Sequence, residues 1–202
     1  MTLKFKSGTN IIVYGLTGTG KTTFIREVLK RRLVTEFPEK VFYFYKIRQP
    51  FMDTWNHKEL EVEFVQGLEL DKAAEGNCVV VVDDLLLESQ KKTAELFVYG
   101  SHHLNITIFY LTQNLYPRDE NVRIMTMNAH YMVLFGDQRS VRQVRSLSHQ
   151  IFVGKERERL TNAFNKSINT NYGFVLLTFV QTFPRQLLVI NNFWSNEPSV
   201  YL

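Results

Sequence analysis

The chain has only one cysteine, Cys78, among its 202 residues, and this scarcity excludes an internal disulfide framework. No apolar run approaches the roughly 20 residues that a membrane-spanning helix needs. The first ten residues also lack the apolar core of a signal peptide. These absences predict a protein that is neither secreted nor membrane-embedded, and that acts in the cytoplasm, the nucleus or a particle assembled there.

Glycine and proline are also sparse, with ten and five residues that are spread along the chain instead of forming a linker. A length of 202 residues without a linker predicts one domain over residues 1–202. Hydrophobic residues at 45% and charged residues at 22% are typical of globular proteins and exclude disorder, collagen or a coiled coil for the whole chain. The net charge of +4 permits contact with nucleic acid but does not by itself indicate it.

Short apolar runs alternate with amphipathic stripes along the chain. Five runs rich in β-branched or aromatic residues predict strands buried on both faces of a parallel sheet, at 10–15, 41–46, 78–83, 106–112 and 131–135. Helices are predicted at 21–33, at 85–100 with Gly100 as its cap, and around 141–147. Two further runs, at 173–180 and 186–190, predict an antiparallel edge. The alternation indicates an α/β fold with a mostly parallel central sheet flanked by helices.

The segment between the first strand and the first helix matches the phosphate-binding pattern G-x-x-x-x-G-K-[ST], the Walker A motif. Its glycines let backbone N–H groups turn towards phosphate oxygens, and the helix that follows adds the positive end of its dipole. Lys21 is predicted to reach the β- and γ-phosphates of ATP, and the Thr22 hydroxyl to bind Mg²⁺. The predicted nucleotide-binding residues are Gly15, Leu16, Thr17, Gly18, Thr19, Gly20, Lys21 and Thr22.

Polar residues follow two other buried strands, at the strand ends where α/β sheets bind ligands. Asp83 is predicted to hold Mg²⁺ together with Thr22. Asp84 is predicted to orient or deprotonate the attacking water, with a helix cap as the alternative. Gln113 is predicted to lie near the γ-phosphate, with satisfaction of loop backbone as the alternative.

Together these motifs resemble the A32-like genome-packaging ATPases of viruses and polinton-type elements, in the FtsK–HerA superfamily of P-loop proteins. Most of the chain takes part in the resemblance, through Arg123 and the segments 15–22, 49–51, 64–68, 82–84, 102–105, 111–115 and 128–135. The Thr-Gln-Asn strand end at 112–114 and the Asn-x-x-Tyr-x-x-x-Phe pattern at 128–135 are typical of this group. The resemblance implies a P-loop NTPase fold of the RecA and FtsK–HerA type.

The resemblance also implies a homo-oligomeric ring that moves double-stranded DNA, without sequence preference, into a capsid whose vertex it contacts. It implies that Gln113 is the polar sensor and that an arginine from a neighbouring subunit completes the catalytic site. By position this arginine is Arg123. Segment 116–122 differs from the small or basic stretch expected there, so Arg118 and Arg139 are kept as alternatives.

Two other functions remain open at the level of the sequence. A small-molecule P-loop kinase would use Arg139, Arg142 and Arg145 as a lid over ATP, whereas in a motor the same three residues are candidates for DNA contact. A nucleotide-bound, non-catalytic assembly subunit would keep the phosphate loop but need neither Asp84 nor Gln113. The paired acids and the glutamine favour hydrolysis by water.

Overall fold

One mixed β-sheet organises the chain. The computed structural model describes residues 4–56, 60–73, 75–83, 85, 90–115, 119–181, 189–191 and 199–200. Within these residues the strands are β1 (Asn10–Tyr14), β2 (Lys40–Tyr45), β3 (Glu63–Gln66), β4 (Cys78–Asp83), β5 (Thr107–Thr112), β6 (Tyr131–Phe135), β7 (Phe174–Thr178), β8 (Val189–Asn191) and β9 (Ser199–Val200). Their order in the sheet is β3-β2-β4-β5-β1-β6-β7-β8-β9.

The six strands from β3 to β6 in this order are parallel, whereas β7, β8 and β9 each run antiparallel to the strand before. The predicted α/β class, the parallel centre and the antiparallel edge are therefore confirmed. β1, β4, β5 and β6 are buried at every position, as expected for a parallel sheet covered on both faces. Successive residues of a strand belong alternately to two apolar clusters. In β1, Ile11 and Val13 belong to one cluster, and Ile12 and Tyr14 belong to the other.

The helices cover the sheet between its strands. They are α1 (Lys21–Lys30), α2 (Pro50–Asp53), α3 (Gln90–Glu95), α4 (Ser101–His103), α5 (Glu120–Met127), α6 (Val141–Ile151) and α7 (Arg157–Ile168). α1 buries Phe24, Ile25, Val28 and Leu29, the stripe that its sequence predicts. None of the helices within these described residues is both long and apolar enough to cross a membrane.

The predicted end of a helix at Gly100 is wrong. A π-helical turn, Leu96–Gly100, joins α3 to α4, and Gly100 has helical dihedrals with φ of −66° and ψ of −44°. A Cβ at this position would lie 2.7 Å from the Leu96 side chain and 3.4 Å from Ile106. The glycine therefore permits close packing inside a continuing helix, and it is not a left-handed cap.

Cys78 opens β4 and is completely buried. Burial raises the pKa of its thiol to about 11.

Candidate active site

The segment 15–20 connects β1 to α1 at the carboxyl edge of the sheet, the edge at which the parallel strands end. Gly18 and Gly20 have φ of 81° and 106°, in the left-handed region that favours glycine. Gly15 is required for a different reason, because a Cβ there would lie 2.4 Å from the Thr19 hydroxyl and 2.8 Å from the Phe135 Cβ. The loop therefore needs its glycines both for backbone conformation and for space.

Lys21 is the first residue of α1, and its ammonium folds back over the loop. Its Nζ donates hydrogen bonds to the carbonyl oxygens of Gly15, at 2.5 Å, and Leu16, at 3.1 Å. The Thr19 hydroxyl also donates to the Leu16 carbonyl, at 2.8 Å. The positive charge of Lys21 thus lies beside the N-terminus of α1, where both favour an anion.

Gln113 lies next to the loop because β5 is the direct neighbour of β1. The Gly15 N–H donates to the Thr112 carbonyl at 3.1 Å, which ties the start of the loop to the end of β5. One residue further on, Gln113 Oε1 accepts a hydrogen bond of 3.0 Å from the Thr17 hydroxyl. The predicted neighbourhood of the β5 strand and the phosphate loop is therefore present in the structure.

Asp83 ends β4, which is separated from β1 by β5 alone, and the residue is only 6% exposed. Its Oδ2 accepts hydrogen bonds from the Tyr43 hydroxyl at 2.7 Å and from Gln49 Nε2 at 3.1 Å. The Thr22 side chain lies beside the same Tyr43 hydroxyl, where it acts to lower the pKa of that group. Burial, and then the negative charge of Asp83, raise the pKa of Tyr43 far above its usual value, so the hydroxyl stays protonated. Tyr43 therefore links Asp83 to Thr22.

These side chains open on one cavity of about 460 Å³. Its lining comes from the phosphate loop, α1 and the ends of β4 and β5, together with the loops that precede α2 and β7. The lining residues are Thr17, Gly18, Gly20, Lys21, Thr22, Thr23, Gln49, Asp83, Leu111, Gln113 and Tyr172. The cavity thus combines lysine, hydroxyl and amide donors with a buried carboxylate. The donors can bind a polyphosphate, and the carboxylate can bind a cation.

Gln49, Tyr43 and Tyr172 contribute to this site but have no role in the sequence analysis. Gln49 lies in the segment 49–51, which is part of the resemblance, and Tyr43 is concealed within the apolar run of β2. Tyr172 precedes β7, and no pattern in its surroundings predicts that it reaches the phosphate loop. Only proximity in the folded chain identifies Tyr43 and Tyr172.

Two of the three candidate arginines lie outside this cavity. Arg123 is exposed on α5 and does not line the cavity of its own chain. Arg139 pairs with Asp137 and is likewise outside the lining. Arg118 and Asp84 lie outside the described residues, so their assignments stay predictions.

The residues of the Asn-x-x-Tyr-x-x-x-Phe pattern, at 128–135, make packing contacts within the sheet and with the phosphate loop. The Asn128 carbonyl accepts a hydrogen bond from the Asn10 side chain at 3.0 Å, which ties the end of α5 to the start of β1. The Tyr131 ring packs edge-on against Phe5, with ring centres 5.1 Å apart. Phe135, at the end of β6, lies against Gly15 and Gly20 of the phosphate loop. This pattern therefore packs the sheet beneath the loop.

A glycine-rich loop between a central parallel strand and a helix, with Asp83 two strands away, defines the fold of the P-loop NTPases. Comparison with solved structures agrees with this fold. The chain is similar to the genome-packaging NTPase B204 of Sulfolobus turreted icosahedral virus 2 in complex with sulfate, at a TM-score of 0.56 and 13% identity over 96% of each chain. It is also similar to the DNA-packaging ATPase B204 of Sulfolobus turreted icosahedral virus, at a TM-score of 0.57 and 11% identity over 97% of this chain and 98% of that one.

A third structure of this kind is the Sulfolobus turreted icosahedral virus 2 protein in complex with ATP-gammaS, at a TM-score of 0.54 and 13% identity over 96% of each chain. No family model and no curated protein matches the chain. The predicted fold and the resemblance to packaging ATPases are thus confirmed at the level of the fold, whereas the FtsK–HerA assignment stays a prediction.

Proposed function

We propose that this chain is the ATP-hydrolysing subunit of a motor that moves double-stranded DNA into a viral capsid. The observation that carries the proposal is the meeting of Lys21, Thr22, Asp83 and Gln113 around one cavity beside the phosphate loop. The fold shared with two packaging proteins, one of them also known in complex with ATP-gammaS, supports the choice of substrate and task.

In the proposed reaction the loop N–H groups and Lys21 hold the β- and γ-phosphates. Gln113 positions a water molecule for attack on the γ-phosphorus. The bond from the γ-phosphorus to the bridging oxygen breaks, its electron pair stays with ADP, and the water proton passes to Asp84. Lys21 stabilises the negative charge that develops on the transferred group.

The residues present fit Mg²⁺. Thr22 and Asp83 offer hard oxygen donors on the wall of the same cavity, the type of ligand that Mg²⁺ prefers. Hydrogen bonds from Tyr43 and Gln49 fix the orientation of the Asp83 carboxylate. Thr22 and Asp83 would hold the ion, which when bound neutralises phosphate charge.

In the kinase alternative three arginines would form a lid over ATP, and the positions of these residues do not favour it. Arg142 and Arg145 are exposed on α6, and neither they nor Arg139 line the cavity. Arg142 and Arg145 serve the proposed motor better as contacts to DNA phosphates. A ring of identical subunits and a capsid vertex partner complete the proposal.

Substitution of the two neighbouring acids should separate their roles. Asp83→Asn is expected to weaken nucleotide binding that depends on Mg²⁺ and to lower turnover with it. Asp84→Asn is expected to leave ATP bound and to slow hydrolysis by roughly 100-fold or more, because a base acts mainly in the transition state. Calorimetric binding with and without Mg²⁺, alongside steady-state hydrolysis, measures both effects. Normal hydrolysis by Asp84→Asn would exclude a role for Asp84 as the base, and would leave a helix cap or a surface charge as its role.

Duplex DNA should stimulate ATP hydrolysis, with no preference for sequence, because a translocating motor holds phosphates instead of base edges. Binding to DNA should weaken steeply as salt is added. The double variant Arg142→Ala, Arg145→Ala should bind DNA less tightly and with a smaller salt dependence, by about one unit of slope for each DNA phosphate that the variant no longer neutralises.

Lys30→Ala is the matched control for this experiment, because Lys30 is exposed at the last turn of α1. A parallel screen for phosphoryl transfer to nucleosides tests the kinase alternative. Equal hydrolysis with and without DNA would argue against the motor, and phosphorylated nucleosides would favour the kinase.

A further inference from the structure

Tyr172 is an exposed aromatic residue at the mouth of the phosphate-binding cavity. It lines that cavity, yet 72% of its surface is exposed. Its φ is 54°, in the left-handed region that a bulky L-residue rarely adopts. Strained backbone of this kind persists where the surrounding structure enforces it, and it concentrates at functional sites.

The antiparallel strand β7 brings Tyr172 to the carboxyl edge of the sheet. Because β7 runs against β6, its first residue, Phe174, pairs with Phe135 at the end of β6. The turn before β7 is fixed by hydrogen bonds from the Gly173 N–H to the Thr170 carbonyl, at 2.9 Å, and from the Gly136 N–H to the Gly173 carbonyl, at 2.8 Å. These two bonds close the turn that contains Tyr172 and tie it to the residue that follows β6.

The Tyr172 ring lies against the last glycine of the phosphate loop. A Cβ added to Gly20 would be 3.0 Å from the Tyr172 Cδ1 and 3.5 Å from its Cβ. Gly20 immediately precedes α1, so the ring stands beside the helix N-terminus where phosphate is expected to bind.

Tyr172 and the hydrolytic residues lie on opposite sides of the loop. Gln113 follows β5 and Asp83 ends β4, on one side of β1, whereas Tyr172 precedes β7, on the other side beyond β6. If the γ-phosphate lies at Gln113, the nucleoside end of the same molecule points towards Tyr172.

We propose that Tyr172 is the platform on which the nucleobase stacks, an assignment that rests on the proposed nucleotide-binding function. An exposed tyrosine ring offers a rigid apolar face to a base. Stacking accepts any base but favours the larger purine surface. The site thereby prefers ATP over pyrimidine nucleotides without reading the edge of the base.

The test compares ATP, CTP and inorganic tripolyphosphate, each with Mg²⁺, by calorimetry. Tyr172→Gly removes the ring and places glycine where a positive φ is favourable, so the fold should be retained or stabilised. This variant is expected to bind ATP about 5- to 100-fold more weakly than the unaltered chain. Binding of tripolyphosphate should be unchanged, and the preference for ATP over CTP should shrink. Tyr172→Phe should behave as the unaltered chain.

Tyr99→Ala is the matched control, because Tyr99 is 62% exposed but does not line the cavity. Unchanged ATP binding by Tyr172→Gly, or equal losses for ATP and tripolyphosphate, would overturn the stacking role and leave the nucleotide site intact. Failure of the unaltered chain to bind ATP would instead overturn the proposed function itself, and the stacking role with it.

Discussion

Lys21→Ala should lower ATP turnover by at least about 100-fold while the fold survives. The ammonium supplies positive charge where negative charge develops on the transferred phosphoryl group, and alanine supplies none. In the structure Lys21 Nζ bonds to the Gly15 and Leu16 carbonyls at the surface of the loop, outside the apolar clusters. Its loss should therefore shift the midpoint of thermal unfolding by only a few degrees. Hydrolysis rates and melting curves of the purified variant measure the two quantities.

Lys30→Ala is the control for this substitution, since it removes a lysine from the other end of the same helix. Its turnover should equal that of the unaltered chain. Near-normal turnover by Lys21→Ala would contradict the nucleotide site. A collapse of the fold in Lys21→Ala would contradict the expectation that this lysine acts on the nucleotide and not on stability.

Mixing of two inactive variants should restore activity if Arg123 acts across a subunit interface. Arg123 is exposed on α5 and lies outside the cavity of its own chain, so it has to serve a neighbour in order to contact ATP. An arginine supplied in trans stabilises charge on the γ-phosphate and is worth about 10³–10⁵ in rate. Arg123→Ala should therefore be nearly inactive alone. Mixed with Lys21→Ala, it should recover part of the activity, because some interfaces then combine an intact loop with an intact arginine.

Arg31→Ala controls for the loss of an exposed arginine, since Arg31 pairs with Glu27 near the end of α1. Arg118→Ala and Arg139→Ala test the two alternatives by the same mixing. Full activity of Arg123→Ala alone would remove this residue from the mechanism. An absence of recovery in oligomers shown to contain both variants would argue against action across the interface.

The phosphate loop and the ends of β4 and β5 were predictable from the sequence because local rules define them. Buried parallel strands are continuous apolar runs, and a polar residue directly after such a run marks the carboxyl edge. Glycines are expected in the loop because its backbone needs φ angles that other residues rarely adopt. The neighbourhood of Gln113 and the loop was predictable once both strands were placed in one parallel sheet.

Other features could not be predicted from the sequence, because they depend on contacts between residues that are distant along the chain or on weak local patterns. Tyr43 is one apolar residue among several in β2, and its bond to Asp83 joins positions 40 residues apart. The short edge strand β3 is half-exposed and carries little apolar signal. α5 begins with a polar turn that resembles a loop, although Asp119 caps it by accepting hydrogen bonds from Asn121 and Val122. Tyr172 acquires its place only through the reversal of chain direction at β7.

The buried thiol at the start of β4 makes this chain convenient for spectroscopic labelling. Thiolate is the form that reacts with maleimide dyes, and a pKa of about 11 leaves almost none of it at neutral pH. A cysteine introduced at an exposed position such as Lys30 would then be the one reactive handle, with Cys78 left in the core. If the proposed ring forms, energy transfer between dyes on such a variant would report the approach of its subunits, and Cys78 would not have to be replaced.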